Sequence, residues 1–303
     1  MENDIESIQI NHNHNNMNTV SAIITTHNRC DLLRCAIESV MSQSYKDIEC
    51  IVVDDASTDN TRQLCKQYNL KYVYISPEES RGGNYARNLG VKNSSGDYVA
   101  FLDDDDEWLP TKIEEQIKLA KEMDSSLVFC LRYYKDFINN KYIGVRKERN
   151  RKPSGNLKNL IFRHYITNTS CILAKKSAIE KIGGFDENLR KWQEYDLMIR
   201  MAEITDIYFV DKCLCNYTNN INGGNRISND FDRLIPTIKY IRTKYSKRIN
   251  NLSLKDRLYF NEMCIGDTYK LARQTGRHLI RFVLFLPYAP LYAFKKIDQL
   301  SNR

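Results

Sequence analysis

From Val20 onward, short apolar runs alternate with longer amphipathic stretches, and several of the runs end in acidic or hydroxylic residues. Val20–Ile24, Glu49–Val53, Lys71–Ile75, Tyr98–Leu102 and Leu127–Leu131 are predicted strands, by their length and β-branched content. Between them, Asp31–Ser42 is expected to place Leu32, Leu33, Cys35, Ala36, Ile37, Val40 and Met41 on its inner stripe. Gly83–Val91 and Thr111–Met123 also read as helices, and Ser57 or Thr58 caps a helix through Leu64. Strands of this length alternating with helices leave few options. The chain is expected to form an α/β domain with a mostly parallel sheet covered on both faces.

Past Leu131 the pattern weakens. Asp136 to Arg163 reads as a polar loop, followed by a strand at Ser170–Leu173 and a helix at Lys175–Ile182 stopped by Gly183-Gly184. Another helix is expected over Glu194–Ala202. Beyond about residue 230 the chain reads as helical and basic. It holds 15 Lys and Arg against 5 Asp and Glu in 231–303, so the net +7 of the whole chain lies in this tail and the body is mildly acidic. Such a tail suits anionic lipid or another polyanion; no nucleic-acid partner is expected. Hydrophobic residues at 42% and charged residues at 27% exclude wholesale disorder. The Asn-rich segment 1–18 reads as a disordered extension, in which His12 and His14 are not expected to bind metal. The nine cysteines include one close pair, Cys213 and Cys215, too few for a zinc tetrad, so reduced thiols in a cytoplasm are expected.

Five successive carboxylates, Asp103 to Glu107, follow the strand Tyr98–Leu102. They repel one another and do not serve stability, and the carboxyl edge of an open α/β sheet is where ligands bind. Mg²⁺ or Mn²⁺ takes oxygen ligands and bridges carboxylates to nucleotide phosphates. Alternate residues of an extended segment share a side, which directs Asp103 and Asp105 to one site. A solvated acidic loop is the competing reading. At the end of the earlier strand Glu49–Val53, Asp54 and Asp55 are expected to divide turn chemistry from binding of a base or ribose. Thr25 to Arg29 lies on the same edge.

Ile24 to Arg29, Val53 to Asp59, Ala86 to Gly90, Phe101 to Asp106, Gly183 to Glu187 and Gln193 to Leu197 occur in the order seen in family 2 glycosyltransferases. The chain resembles that family over about residues 19–215. The resemblance implies a GT-A fold and inverting transfer from a nucleotide-sugar to a glycan or lipid-linked acceptor. It places Thr25 by the nucleobase, Asp55 on the base (usually uracil) and Arg81 toward the nucleotide. The metal-binding DxD falls on Asp103 and Asp105, with Asp105 the direct ligand and Asp103 or Asp104 nearer the ribose. The catalytic base falls at Glu194, with Asp196 as a second carboxylate of that motif. Two positions depart from the pattern: His27 replaces a common Tyr, and Glu194 replaces the usual Asp.

The chemistry asks for the same residue types. A leaving diphosphate develops charge that a cation can neutralise, and the acceptor hydroxyl needs one general base. Trp192 is either a stacking platform or core, and Arg87 and Asn88 are expected to hold the sheet edge through hydrogen bonds. Alternative readings are a catalytically idle carbohydrate- or nucleotide-binding scaffold, or a sugar nucleotidyltransferase. The latter needs a Gly-rich phosphate loop, and Thr25 to Arg29 has no glycine. Residues 19–230 are expected to form the transferase domain, its nucleotide half at about 19–132 and acceptor half at about 133–230, with 231–303 appended. Arg281–Phe294 is apolar, broken by Pro287 and Pro290 and flanked by basic residues. The stretch 279–296 suits either peripheral attachment to the inner face of the cell membrane or packing on the domain.

Overall fold

The structure, a computed structural model, describes residues 19–138, 141–148, 152–220 and 231–301; the segment 1–18, with His12 and His14, lies outside them. The strands are β1 (Val20–Thr26), β2 (Ile48–Asp55), β3 (Lys71–Ile75), β4 (Tyr98–Asp103), β5 (Glu107–Trp108), β6 (Leu127–Ile138), β7 (Lys141–Lys147), β8 (Ile172–Lys175) and β9 (Ile207–Asn220). The helices are α1 (Cys30–Met41), α2 (Thr61–Cys65), α3 (Gly83–Asn93), α4 (Lys112–Glu122), α5 (Lys176–Lys181), α6 (Gln193–Met201), α7 (Phe231–Lys244), α8 (Ser246–Asn251), α9 (Leu254–Gln274) and α10 (His278–Ser301). One sheet runs in the order β3-β2-β1-β4-β8-β6-β9-β5, with β7 paired to β6. β1, β2, β3, β4, β6 and β9 share one direction, while β5, β7 and β8 oppose it. The expected mostly parallel α/β sheet is present.

Register follows from side-chain alternation. Ile23 faces Ile51 and Phe101, while Ile24 faces Val52 and Leu102. The first set packs with α3, α5 and α6, and the second with α1 and α4. α1 buries Leu33, Ala36, Ile37 and Val40 at helical spacing, whereas Leu32, Cys35 and Met41, off that face, are exposed; α4 buries Ile113, Gln116, Ile117 and Ala120 likewise. The same register aligns Thr25 with Asp103 and Thr26 with Asp54, which builds the functional edge from three strand ends.

α3 lies close to the sheet because Gly90 has no side chain. A Cβ there would sit 2.4 Å from Ile23 Cγ2 and 3.3 Å from Val53 Cγ2. Gly90→Ala is therefore expected to cost about 1–3 kcal/mol, the usual range for overpacking a filled core. Thermal unfolding measures it; an unchanged midpoint would show that α3 can move away freely.

Two stretches differ from the sequence reading. The expected loop after Asp136 instead carries β6 on to Ile138 and returns as β7, a hairpin with a register shift at Asp136/Phe137. No strand was expected at 207–220, yet β9 pairs in parallel with β6 along most of its length and antiparallel with β5. Its polar and small residues hide the period, and the long partner strand supplies the hydrogen bonds. Pro287 and Pro290 do not break α10, which runs through both as one helix. Stacking of Tyr288 on Tyr269 (ring centroids 5.0 Å apart) and the Lys295–Glu262 ion pair (2.6 Å) fix it to α9. Among the described residues no helix is long and apolar enough to cross a membrane. All nine cysteines are free.

Candidate active site

Beyond β4 the chain turns rather than continuing extended: the Asp106 amide donates to the Asp103 carbonyl (3.1 Å). The turn sorts the acids. Asp104 and Asp106 point inward, at 5% and 1% exposure, while Asp103 and Asp105 remain partly open to the crevice. Asp104 accepts from Thr26 Oγ1 (2.8 Å) and Arg29 Nη1 (3.0 Å). Asp106 accepts from Ser170 Oγ (2.6 Å) and the Thr218 amide (2.9 Å), so β9 clamps the loop from behind. Burial pushes the Asp104 carboxyl up to about 6 and that of Asp106 well above the carboxylate range. A raised pKa lets inner acids shed charge, which eases the repulsion. The Asp103 carboxylate is paired with Arg87 (2.6 Å) and that of Asp105 with Arg29 (3.4 Å).

At the end of β2 the neighbouring pair divides. Asp54 accepts from the Ser57 amide (2.9 Å) and Tyr72 hydroxyl (2.6 Å), which is turn and packing chemistry. Asp55 Oδ1 is buried without a hydrogen-bond partner among the described residues. An orphaned buried carboxylate oxygen costs free energy unless a donor reaches it, which fits a ligand N–H. The Asp55 carbonyl accepts from His27 Nδ1 (2.5 Å), and Asn28, at φ 54°, accepts from the Thr58 amide (2.7 Å). These contacts tie the β1 and β2 ends together. Thr25 lies beside Asp103 on β1, partly exposed. Arg81 is exposed in the loop before α3, over the Tyr85 ring (4.9 Å), and its carbonyl accepts from Arg190 Nη1 (2.6 Å).

Glu194 lies in the first turn of α6, 7% exposed. Tyr165 donates its hydroxyl to Oε1, and Oε2 is buried without a partner. Burial raises the carboxyl's pKa; Tyr165 and Arg87 lower it and Asp103 raises it, so the group sits in the field of the acidic loop. Asp196 is placed otherwise. Fully buried, it binds Arg200 (2.6 Å), Lys244 (2.7 Å) and Tyr245 (2.7 Å), which pins α6 to the α7–α8 junction. Trp192, at φ 58°, is core, with its ring edge-on to Tyr195 (5.4 Å). Asn88 hydrogen-bonds the Phe185 amide (2.7 Å) and carbonyl (2.9 Å), which fixes the 183–187 loop against α3.

Ser170, Tyr165 and Thr218 had no signal in the sequence, since each acts through a contact with a distant segment. Arg29 and Arg87 stood inside recognised motifs, but their carboxylate partners are set only by the fold. Among the described residues no group of three or more His, Cys, Asp and Glu side chains converges on a metal position. Asp103 and Asp105 offer two hard oxygen donors at the crevice surface. That fits Mg²⁺ or Mn²⁺, which fills its shell with waters and substrate phosphate oxygens.

The model of glycosyl transferase family 2 matches residues 21–183, more than half of the chain. The chain belongs to that family. A glycosyltransferase of Rickettsia typhi is 33% identical over 194 residues, 63% of this chain and 60% of the relative. The Escherichia coli UDP-Glc:alpha-D-GlcNAc-diphosphoundecaprenol beta-1,3-glucosyltransferase WfaP is 39% identical over 127 residues, 40% of this chain and 49% of that one. The match thus spans less than two thirds of each of these relatives. Among solved structures, the Pyrobaculum calidifontis mannosyltransferase PcManGT, in complex with GDP-Man and Mn²⁺, has TM-score 0.59 at 18% identity, covering 93% of this chain and 81% of that one. S. aureus TarS 1–349 with UDP-GlcNAc has TM-score 0.58 at 16% identity, covering 92% of each chain. These structural likenesses establish the GT-A type of fold.

Proposed function

We propose that this glycosyltransferase moves a sugar from a UDP-sugar to a hydroxyl of a glycan or lipid-linked saccharide, with inversion, in cell-surface polysaccharide or lipooligosaccharide synthesis. The observation that carries the reading is Glu194: buried, unpartnered at Oε2, and in the field of Arg87 and Asp103 across the crevice. The acceptor oxygen bonds to the anomeric carbon as the bond from that carbon to the diphosphate oxygen breaks. The proton passes to Glu194, and the diphosphate leaves with the electron pair. Asp55, with Thr25 beside the base, receives the nucleobase N–H. Arg81 approaches the nucleotide, and Asp103 or Asp104 the ribose. Asp103 and Asp105 would hold Mn²⁺ or Mg²⁺, whose chemistry is to neutralise charge growing on the leaving group. Asp196 orients α6 and takes no proton. Release of free UDP from a panel of UDP-, GDP- and dTDP-sugars with Mn²⁺ tests the reading. Turnover with UDP-sugars supports it; no nucleotide binding and no turnover across the panel would leave a scaffold.

Residues 19–230 are taken as the transferase domain and 231–303 as its helical appendage. We place the enzyme in the cytoplasm, in keeping with its free thiols, and at the inner membrane face through α10. Leu279, Phe282, Val283 and Leu286 are 59–77% exposed on that helix, at a spacing that forms one apolar stripe, with Arg277, Arg281, Lys295 and Lys296 nearby. Deleting 279–303 is expected to shift the protein from membrane to soluble fractions. An unchanged partition would undercut the placement.

A further inference from the structure

Lys152, Pro153, Arg163, His164 and Tyr165 line, together with α9 and α10, a half-open cavity of about 720 Å³. That volume accommodates a small ligand. Tyr165 forms part of its wall, so the cavity adjoins Glu194 through the hydroxyl that Glu194 accepts. Five cationic side chains line it: Lys152, Arg163, Lys270, Arg273 and Lys295. Three are matched locally, Lys152 by Glu148 (2.8 Å), Lys295 by Glu262 (2.6 Å) and Arg163 by Asp256. Lys270 and Arg273 lie three residues apart on one face of α9 with exposed side chains, and Lys270 acts on the Asp267 carboxyl. Burial raises the pKa of Asp267, while Lys270 and Lys191 lower it. His164, also in the wall, is held down to about 4, first by burial and then by Lys295, Arg163 and Lys152. Five cations against the two lining acids, Glu262 and Asp267, leave the cavity net positive.

Tyr269 and Tyr288 stack at the α9–α10 side of the cavity, and the apolar stripe of α10 ends two residues before Tyr288, at Leu286. A cationic chamber beside the general base and next to an exposed apolar helix suits an anion carried on a lipid. We propose that the cavity is an acceptor subsite that binds the phosphoryl group joining the acceptor saccharide to a lipid carrier, with Lys270 and Arg273 as its ligands. Held there, the saccharide projects past Tyr165 and presents a hydroxyl to Glu194. The inference rests on the reading of Glu194 as the base.

The test uses the full chain in EDTA, which disables any metal-dependent phosphate binding at Asp103 and Asp105. Inorganic pyrophosphate and farnesyl diphosphate are titrated while the His164 ring protons are followed by NMR. A bound anion offsets the surrounding cations, so the pKa of His164 is expected to rise with either probe. Farnesyl diphosphate is expected to bind the more tightly, and Lys270→Gln/Arg273→Gln to weaken both by about tenfold or more, as loss of charge-assisted bonds requires. Asp105→Ala is expected to retain the His164 response, which separates this site from the donor site. An unmoved His164, or a double variant that binds like the parent, overturns the subsite. Equal affinity for the two diphosphates overturns the lipid carrier in favour of a free anionic acceptor. A parent that shifts His164 yet releases UDP from no donor defeats the catalytic reading and leaves the anion site standing.

Discussion

Asp105→Ala is expected to lower Mn²⁺-dependent UDP release by at least about 10²-fold, since Lewis-acid neutralisation of a leaving group is worth several kcal/mol. The same substitution should leave the fold intact or slightly more stable. Asp105 adds like charge to Asp104 and Asp106 and raises the pKa of both buried neighbours. Arg29 keeps its 3.0 Å bond to Asp104 when Asp105 is gone. Initial rates with saturating donor, read beside thermal unfolding, check both halves. Full activity in Asp105→Ala, or in Asp103→Ala/Asp105→Ala with no Mn²⁺ uptake by calorimetry, would end the metal assignment.

Glu194→Gln is expected to reduce transfer by about 10²–10⁴-fold, the range for loss of a general base. Burial raises the pKa of Glu194, so the acid limb of kcat/KM should lie above the ordinary glutamate value of about 4.3, with activity rising as pH increases through it. Tyr165 holds that pKa down through its hydrogen bond, so Tyr165→Phe should move the limb to higher pH. Stability carries the opposite sign. A folded-state pKa above the unfolded one favours the protonated form, and that contribution is lost as pH rises through the folded value. Glu194→Gln should therefore match or exceed the parent's melting temperature at pH 8 while being nearly inactive. A limb that stays put in Tyr165→Phe, or a Gln variant that works at full rate, removes Glu194 from the chemistry.

Much of the stretch from β1 to α4 was legible locally. Strands β1 to β4 and helices α1, α3 and α4 announced themselves by period, because each buries a regular stripe against one sheet face. Asp103 and Asp105 are the more open of the four aspartates, and a turn, not an extended strand, exposes them. Asp54 and Asp55 likewise share the labour that adjacent acids at a strand end invite. The stretch from β6 onward was less readable. β7 and β9 are half polar, and their hydrogen bonds depend on β6, so composition gave no warning of them. Asp196 looked equivalent to Glu194 as one of two acids two residues apart in a first helical turn. Lys244 and Tyr245, some fifty residues further on, make it a structural anchor.

The amino-acid order alone settled the alternating α/β architecture, the polar edge at the strand ends and the helical, basic character of the C-terminal tail, since these depend on short-range periodicity and on residue type. Only folding decided which carboxylates stay open, which are sealed by Ser170, Thr218 and Arg29, and that Tyr165 joins Glu194 to a second, cationic chamber. Those outcomes depend on burial and on partners distant in the chain, and a carboxylate's charge and availability are properties of its surroundings.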